Sequence, residues 1–360
     1  MTARATIEAA IAAIRPVDES AREEARRLQS TLTKPLGSLG RLEDLHVWLA
    51  GVRRIAAPSI EHALIVVAAA DHGVVAEGVS AYPQEVTAQM VRNMLAGGAA
   101  VCVLAAHAGA DVQIVDAGVR ADFDAPCLRS AKLHRGSANI ARGPAMSRED
   151  AQTLVASGIG CALELCDGGV DAIGLGDMGI GNTTPAAAIT SAIAGLPPAV
   201  TAGRGTGIDD ETFAQKLSAI ERAIEVNAPD PADGIDVLAK VGGFELAFLA
   251  GVAIGAASRA RAVVLDGYPT TSAALVAVTL APRCRDYMLA AHVSAEPGHR
   301  FALEHLGLQP LLDFGMRLGE GTGAALALSL LRAATRLPHE MATFDSAGVS
   351  RSSGESVLEA

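Results

Sequence analysis

Aromatic residues are scarce in this chain. Phe, Trp and Tyr make up 3% of its 360 residues, with one Trp and three Tyr. So few rings leave little for the stacking platforms that bind single-stranded nucleic acids. Basic charge is short as well. Lys and Arg number 29 against 40 Asp and Glu, a net charge of −11, whereas a general nucleic-acid binder needs basic surface to displace counterions. That balance does not exclude a small anionic ligand, because a local pocket can be positive on an acidic protein. The five cysteines, at 102, 127, 161, 166 and 284, are odd in number and contain no CxxC pair. They do not read as a disulfide framework. The nine histidines include no HExxH or HxxxH array, so no metal site is expected. Glu8, Asp18 and Glu19 interrupt the N-terminus where a signal peptide would need an apolar run. The uncharged stretch 178–203 is broken by Asn182, Thr183, Thr184, Pro185, Pro197 and Pro198, so no membrane span is expected. Free thiols and the missing targeting segment point to the cytoplasm.

Half of the residues are hydrophobic and 19% are charged, which is not the composition of a disordered chain. The length suits one large α/β domain or two ordinary ones. The first 55 residues read as helices. Ile7, Ala10, Ile11 and Ile14 recur at helical spacing, and Pro16 ends the segment. A charged helix follows from about Glu19 to Ser30, then a turn-rich loop at 33–40, then a helix marked by Leu42, Leu45 and Leu49. From residue 60 the grammar changes. Apolar runs at 62–70, 112–115, 170–174 and 262–265 end at Asp71, Asp116, Asp177 and Asp266, and each is followed by an Ala-rich segment of helical length. Strands alternating with helices predict βαβ units in a parallel sheet, with ligands outside the carboxyl ends of the strands. The expected division is a small helical domain at 1–58, joined by the C-terminal segment 335–360, and a large α/β domain at 59–334. Residues 350–360 have little apolar content and are expected to fray.

Gly174-Leu-Gly176-Asp-Met-Gly179 is literally GxGxxG after a strand. A dinucleotide fold also wants an acidic residue about twenty positions on, and none occurs between Asp177 and Asp209. A tight turn needing small residues is the stronger reading, and a nicotinamide-dependent oxidoreductase the weaker one. The continuation, Gly179 to Pro185, offers N–H groups, hydroxyls and an amide at a helix start, where phosphate is collected. Loops 203–207 and 319–323 have related composition. Each could be only a turn; together they suggest a phosphorylated ligand. Lys216 could supply a point charge, or it could be a solvated helix lysine. Glu320 stands between two glycines at a helix start, where it is either a dipole partner or a desolvated general base. Asp177 is a second carboxylate at a strand end. The segment 78–90 mixes apolar and hydrogen-bonding side chains and would suit a flat heteroaromatic ligand, or is a loop and helix cap.

The ordered motifs KPLGSLGRLE (34–43), AADHGV (69–74), GVSAYPQEVTAQM (78–90), GDMGIGNTT (176–184), GRGTG (203–207), KVGGFE (240–245), DGYPT (266–270), SAEPGH (294–299) and RLGEGTGAAL (317–326) span about residues 30–345. Their combination resembles the nicotinate-nucleotide–dimethylbenzimidazole phosphoribosyltransferases of cobalamin lower-ligand synthesis. The resemblance implies a homodimer of doubly wound, Rossmann-like α/β subunits with a small helical domain. It implies no metal and no cofactor. The substrates would be nicotinate mononucleotide and dimethylbenzimidazole. By the same resemblance Glu320 is the base, with Asp177 as second carboxylate. The azole falls to Ser80, Tyr82, Gln89, Met178 and Leu318. The phosphoribosyl and nicotinate parts fall to Gly179, Gly181, Asn182, Thr183, Gly205, Lys216 and Ser294. Members often carry Glu where this chain has Asp177, one methylene shorter, which leaves the role of this carboxylate open. A non-catalytic azole- or nucleotide-binding protein is a further alternative.

Overall fold

The computed structural model describes residues 2–205 and 207–351, so Thr206 of the GRGTG loop and the tail 352–360 lie outside the described residues. Six parallel strands form one sheet: β1 (Ala63–Ala70), β2 (Asp111–Gly118), β3 (Arg129–Ser130), β4 (Ala172–Met178), β5 (Ala262–Leu265) and β6 (Met288–Ala290). Their order across the sheet is β3-β2-β1-β4-β5-β6, which is that of a doubly wound nucleotide-binding fold. The chain reverses direction across the sheet between β1 and β4. Loops leaving neighbouring strands there diverge to opposite faces and open a crevice. Register aligns Ala68 with Asp177 across that seam.

Both faces of the sheet are covered, which is why β1 reads as an unbroken apolar run. The helix Phe244–Ser258 crosses one face; the helices Thr322–Glu340 and Ala100–Ala108 cover the other. Phe244–Ser258 is buried along nearly its whole length. It meets the helix Arg148–Asp167 backbone to backbone. A Cβ on Gly158 would lie 2.0 Å from the Phe248 carbonyl oxygen, and one on Gly251 would lie 2.0 Å from that of Val155. The small-residue composition is therefore a packing requirement.

The predicted N-terminal helices form at Ala3–Ala13, Glu19–Thr31 and Arg41–Arg53. Thr2 and Asp18 cap the first two, each accepting a backbone N–H three residues on. Ile7 and Leu49 belong to the same apolar core as the strands. Leu32 pairs with Thr343, which ties the loop after the second helix to the C-terminal segment. All five cysteines are unpaired. Burial pushes the Cys161 and Cys166 thiols up to about 11, which keeps them protonated and unreactive. Residues 85–108 match a membrane span in length and mean hydropathy, 1.3. They fold as two helices, Glu85–Leu95 and Ala100–Ala108, separated at Gly97 and Gly98.

Candidate functional site

A cleft opens at the carboxyl ends of β1, β4, β5 and β6. Its floor is the segment 177–183, which runs from the end of β4 into the helix Thr183–Ala194. Gly179, Ile180, Gly181, Asn182 and Thr183 all line it. Ile180 N–H is fixed by Thr87 Oγ1 at 3.1 Å, and Gly181 takes φ +86° so that the chain can turn into the helix. The literal GxGxxG has a packing role. A Cβ on Gly176 would stand 2.4 Å from the Glu320 carbonyl oxygen, and one on Gly179 would stand 2.5 Å from that of Ala70. These glycines let the 319–323 loop and the end of β1 close on β4.

One end of the cleft is built around Lys216. Its ammonium is buried and donates to Thr183 Oγ1 at 2.7 Å and to the Gly203 carbonyl at 2.8 Å. Burial lowers this lysine to about 8, against a smaller opposing effect of the Glu296 charge. Gly205, at φ +55°, donates its N–H to Glu296 Oε1 at 2.7 Å. Ser294 stands beside them: its N–H is held by His299 Nδ1 at 2.8 Å and its hydroxyl accepts the Glu296 N–H at 3.3 Å. An ammonium, a hydroxyl and a glycine loop at a helix start form an anion-binding arrangement.

The other end is a cluster of buried carboxylates. Asp177 accepts the Asn182 amide at 2.8 Å through Oδ2, while Oδ1 has no partner. Burial, then the neighbouring Asp266, Glu245 and Glu320, raise Asp177 well above the usual carboxylate range, and Asn182 opposes this. Asp266, at the end of β5, accepts the N–H groups of Gly321, Gly323 and Ala324. It thereby holds the start of the helix Thr322–Glu340. It too is raised, chiefly by burial, with His292 the main opposing group. Glu320 sits in the loop so clamped, at φ +65°, a left-handed conformation that a non-glycine residue adopts at a cost. Its N–H donates to the Asp177 carbonyl at 3.2 Å. The residue is 4% exposed, and Oε2 has no partner. Burial and Asp266 raise it, while the Val101 backbone hydrogen bond opposes. Buried carboxylates that repel one another are poised to take up protons or to accept a cation.

The residues singled out from sequence divide by position. Ser80, Asp177, Met178, Gly179, Gly181, Asn182, Thr183, Gly205, Lys216, Ser294 and Leu318 all line the cleft. Glu320 lies directly behind Leu318 and Gly319, turned toward the helix that starts at Ala100. Tyr82 is 49% exposed and Gln89 projects from the helix Glu85–Leu95; neither lines the cleft. Sequence reasoning gave no individual role to Glu296, His292, Tyr268 or Arg317, which also line it. Glu296 and His292 lie just beyond β6, whose three residues are too few to mark them in the sequence.

Fold and site together are those of a phosphoribosyltransferase, and the family model described by that word matches residues 14–349. Nicotinate-nucleotide–dimethylbenzimidazole phosphoribosyltransferase of Chloroflexus aggregans is 54% identical over 338 residues, covering 94% of this chain and 96% of the relative. The enzyme of the same name from Geobacter sulfurreducens is 51% identical over 342 residues, covering 94% and 97%. A crystal structure of the Thermus thermophilus enzyme superposes with a TM-score of 0.88 at 46% identity, covering 93% of this chain and 100% of that one. The chain belongs to this family, the nicotinate-nucleotide–dimethylbenzimidazole phosphoribosyltransferases.

Proposed function

We propose that this protein moves the 5-phosphoribosyl group of nicotinate mononucleotide to 5,6-dimethylbenzimidazole, giving α-ribazole 5′-phosphate and nicotinate. The observation that carries this reading is the polarity of the cleft. A hydroxyl-bound ammonium at Lys216 and a cluster of carboxylates around Asp177 sit at opposite ends of one short segment, 177–183. Nicotinate mononucleotide has matching poles, a phosphate and a quaternary pyridinium joined through ribose. Its cationic ring offsets the repulsion within the carboxylate cluster.

In this reading Thr183, Asn182, Gly205 and Lys216 bind the phosphate, with Gly179, Gly181 and Ser294 along the ribose and nicotinate. The acceptor lies against Ser80, Met178 and Leu318, two residues before Glu320; Tyr82 and Gln89, exposed outside the cleft lining, are the remaining azole contacts of this reading. The unprotonated azole nitrogen forms a bond to C1′. The bond from C1′ to the ring nitrogen breaks, and its electron pair neutralises the pyridinium, so the leaving group needs no proton. Glu320, ionised, takes the proton of the azole N–H. Asp177 stands where positive charge develops on the ribose. Attack opposite the leaving ring converts a β-linkage into an α-linkage in one displacement.

The working protein is further proposed to be a cytoplasmic homodimer. Residues 85–108 are apolar, yet much of their surface is open, Val103 above all; a second copy would cover it. Sedimentation equilibrium should give twice the 36.6 kDa chain mass, and a monomer would remove that part of the reading. The transfer itself is tested by mixing protein, nicotinate mononucleotide and dimethylbenzimidazole and separating the products by chromatography. Folded protein that releases no nicotinate across the pH range would refute it.

A further inference from the structure

Glu296 is a carboxylate inside the end of the cleft that binds an anion. It is 5% exposed and precedes the helix Pro297–Leu306. Oε1 accepts the Gly205 N–H at 2.7 Å; Oε2 has no hydrogen-bond partner. Oε2 lies against Gly203, where a Cβ would be 2.2 Å from it. Lys216 holds the same loop from the other side, through the Gly203 carbonyl. The loop 203–205 is thus fixed by a carboxylate at one residue and an ammonium at another.

We propose that Glu296 is a positioning residue for phosphate recognition, which shapes the Gly203–Gly205 loop and supplies the counter-charge that keeps Lys216 ionised while the site is empty. This rests on reading Lys216, Thr183 and Gly205 as the phosphate site. The other charged or titratable groups around it are accounted for. Arg204 lines the cleft, but its guanidinium is engaged by the Ile208 carbonyl and Asp210 and lies over the Phe213 ring. Tyr268 donates to the Thr201 carbonyl and is held protonated by burial. His299 is lowered to about 3 by burial and stays neutral. Arg317 stands by Gly207, and Asp177 and His292 occupy the opposite end of the cleft. That leaves Glu296 as the charge acting on Lys216, and its effect is to raise it.

Two variants separate shape from charge. E296Q keeps an oxygen for the Gly205 N–H and removes the charge; E296A removes both. KM for nicotinate mononucleotide and for dimethylbenzimidazole is followed against pH, with calorimetry of inorganic phosphate as a parallel probe. E296A should raise KM for the nucleotide about tenfold or more at every pH, the loss of a charge-assisted hydrogen bond, and leave KM for the azole unchanged. E296Q should match the parent well below pH 8. Its nucleotide KM should then begin to rise at a lower pH than the parent's, whose rise is centred near the Lys216 value of about 8. An E296Q profile that superimposes on the parent's overturns the proposal, as does an equal rise in both KM values. If E296A does not fold, E296Q decides alone. If the parent binds phosphate but makes no product, the transfer reading fails and the phosphate titrations still decide the role of Glu296. A parent that does not bind phosphate overturns it.

Discussion

The two ends of the cleft solve opposite electrostatic problems with the same kind of backbone. Around Lys216 a single buried cation is stabilised by a hydroxyl, a carbonyl and the nearby Glu296. Around Asp177 several carboxylates share a dry space in which repulsion and burial raise them. An isolated buried charge is costly, and proteins lower the cost by pairing it or by shifting its proton affinity. At the first end burial lowers a lysine that a hydroxyl, a carbonyl and a nearby carboxylate hold in place; at the second, burial and mutual repulsion raise the carboxyls. The first is thus prepared to hold a fixed anion, the second to respond to a cation or a proton.

Substitutions can break this contrast. The largest effect is expected for Glu320→Gln. If this carboxylate takes the azole proton, kcat should fall about 10²–10⁴-fold, while calorimetry still shows both ligands binding. Turnover like that of the parent would remove Glu320 from the base role. Next is Lys216→Met, which keeps the stem and removes the charge. KM for nicotinate mononucleotide should rise about 10–100-fold, the usual cost of a charged hydrogen bond, with kcat much less affected. The parent itself should show the same loss as pH rises through about 8, because only the protonated lysine attracts phosphate. Asp177→Asn should be milder. Burial and its carboxylate neighbours raise this carboxyl well above the usual range, so a neutral amide disturbs it less than it would an ordinary carboxylate. A loss of about tenfold in kcat, from charge needed only as the ribose becomes cationic, is expected. A loss as large as that of Glu320→Gln would show that Asp177 works as a full charge and would erase the distinction drawn between them. Leu318→Ala should be smallest. The side chain is 55% exposed, so losing its contact with the azole should raise only the acceptor KM, by a few-fold, about 1 kcal/mol or less.

Much of the scaffold was legible before the structure. The apolar runs ending in Asp71, Asp177 and Asp266 are strands, and the breaks at Pro16 and at 33–40 fall between helices. What escaped was short or held from a distance. β3 and β6 have two and three residues, too few for a periodic pattern, and they exist because neighbouring strands present partners. The glycine loops and Lys216 drew attention through local composition. Glu296 could not, since its hydrogen bond to Gly205 spans 91 residues of sequence. The clamp of Asp266 on the Glu320 loop is likewise long-range, 55 residues to Gly321. Ser80, Tyr82 and Gln89 are near neighbours in the chain; Ser80 lines the cleft, while Tyr82 and Gln89 are exposed outside its lining. The GxGxxG pattern proved to be about close strand-to-loop packing at Gly176 and Gly179.

The most direct measurement of the central proposal is the anomeric configuration of the product. In the proposed mechanism a carboxylate base beside the acceptor and a nucleotide held by its phosphate lead to one displacement, opposite the leaving pyridinium. NMR of the ribosylated dimethylbenzimidazole phosphate formed by the purified protein should show the α-linkage alone. A β-linked product, or a mixture of the two, would contradict it.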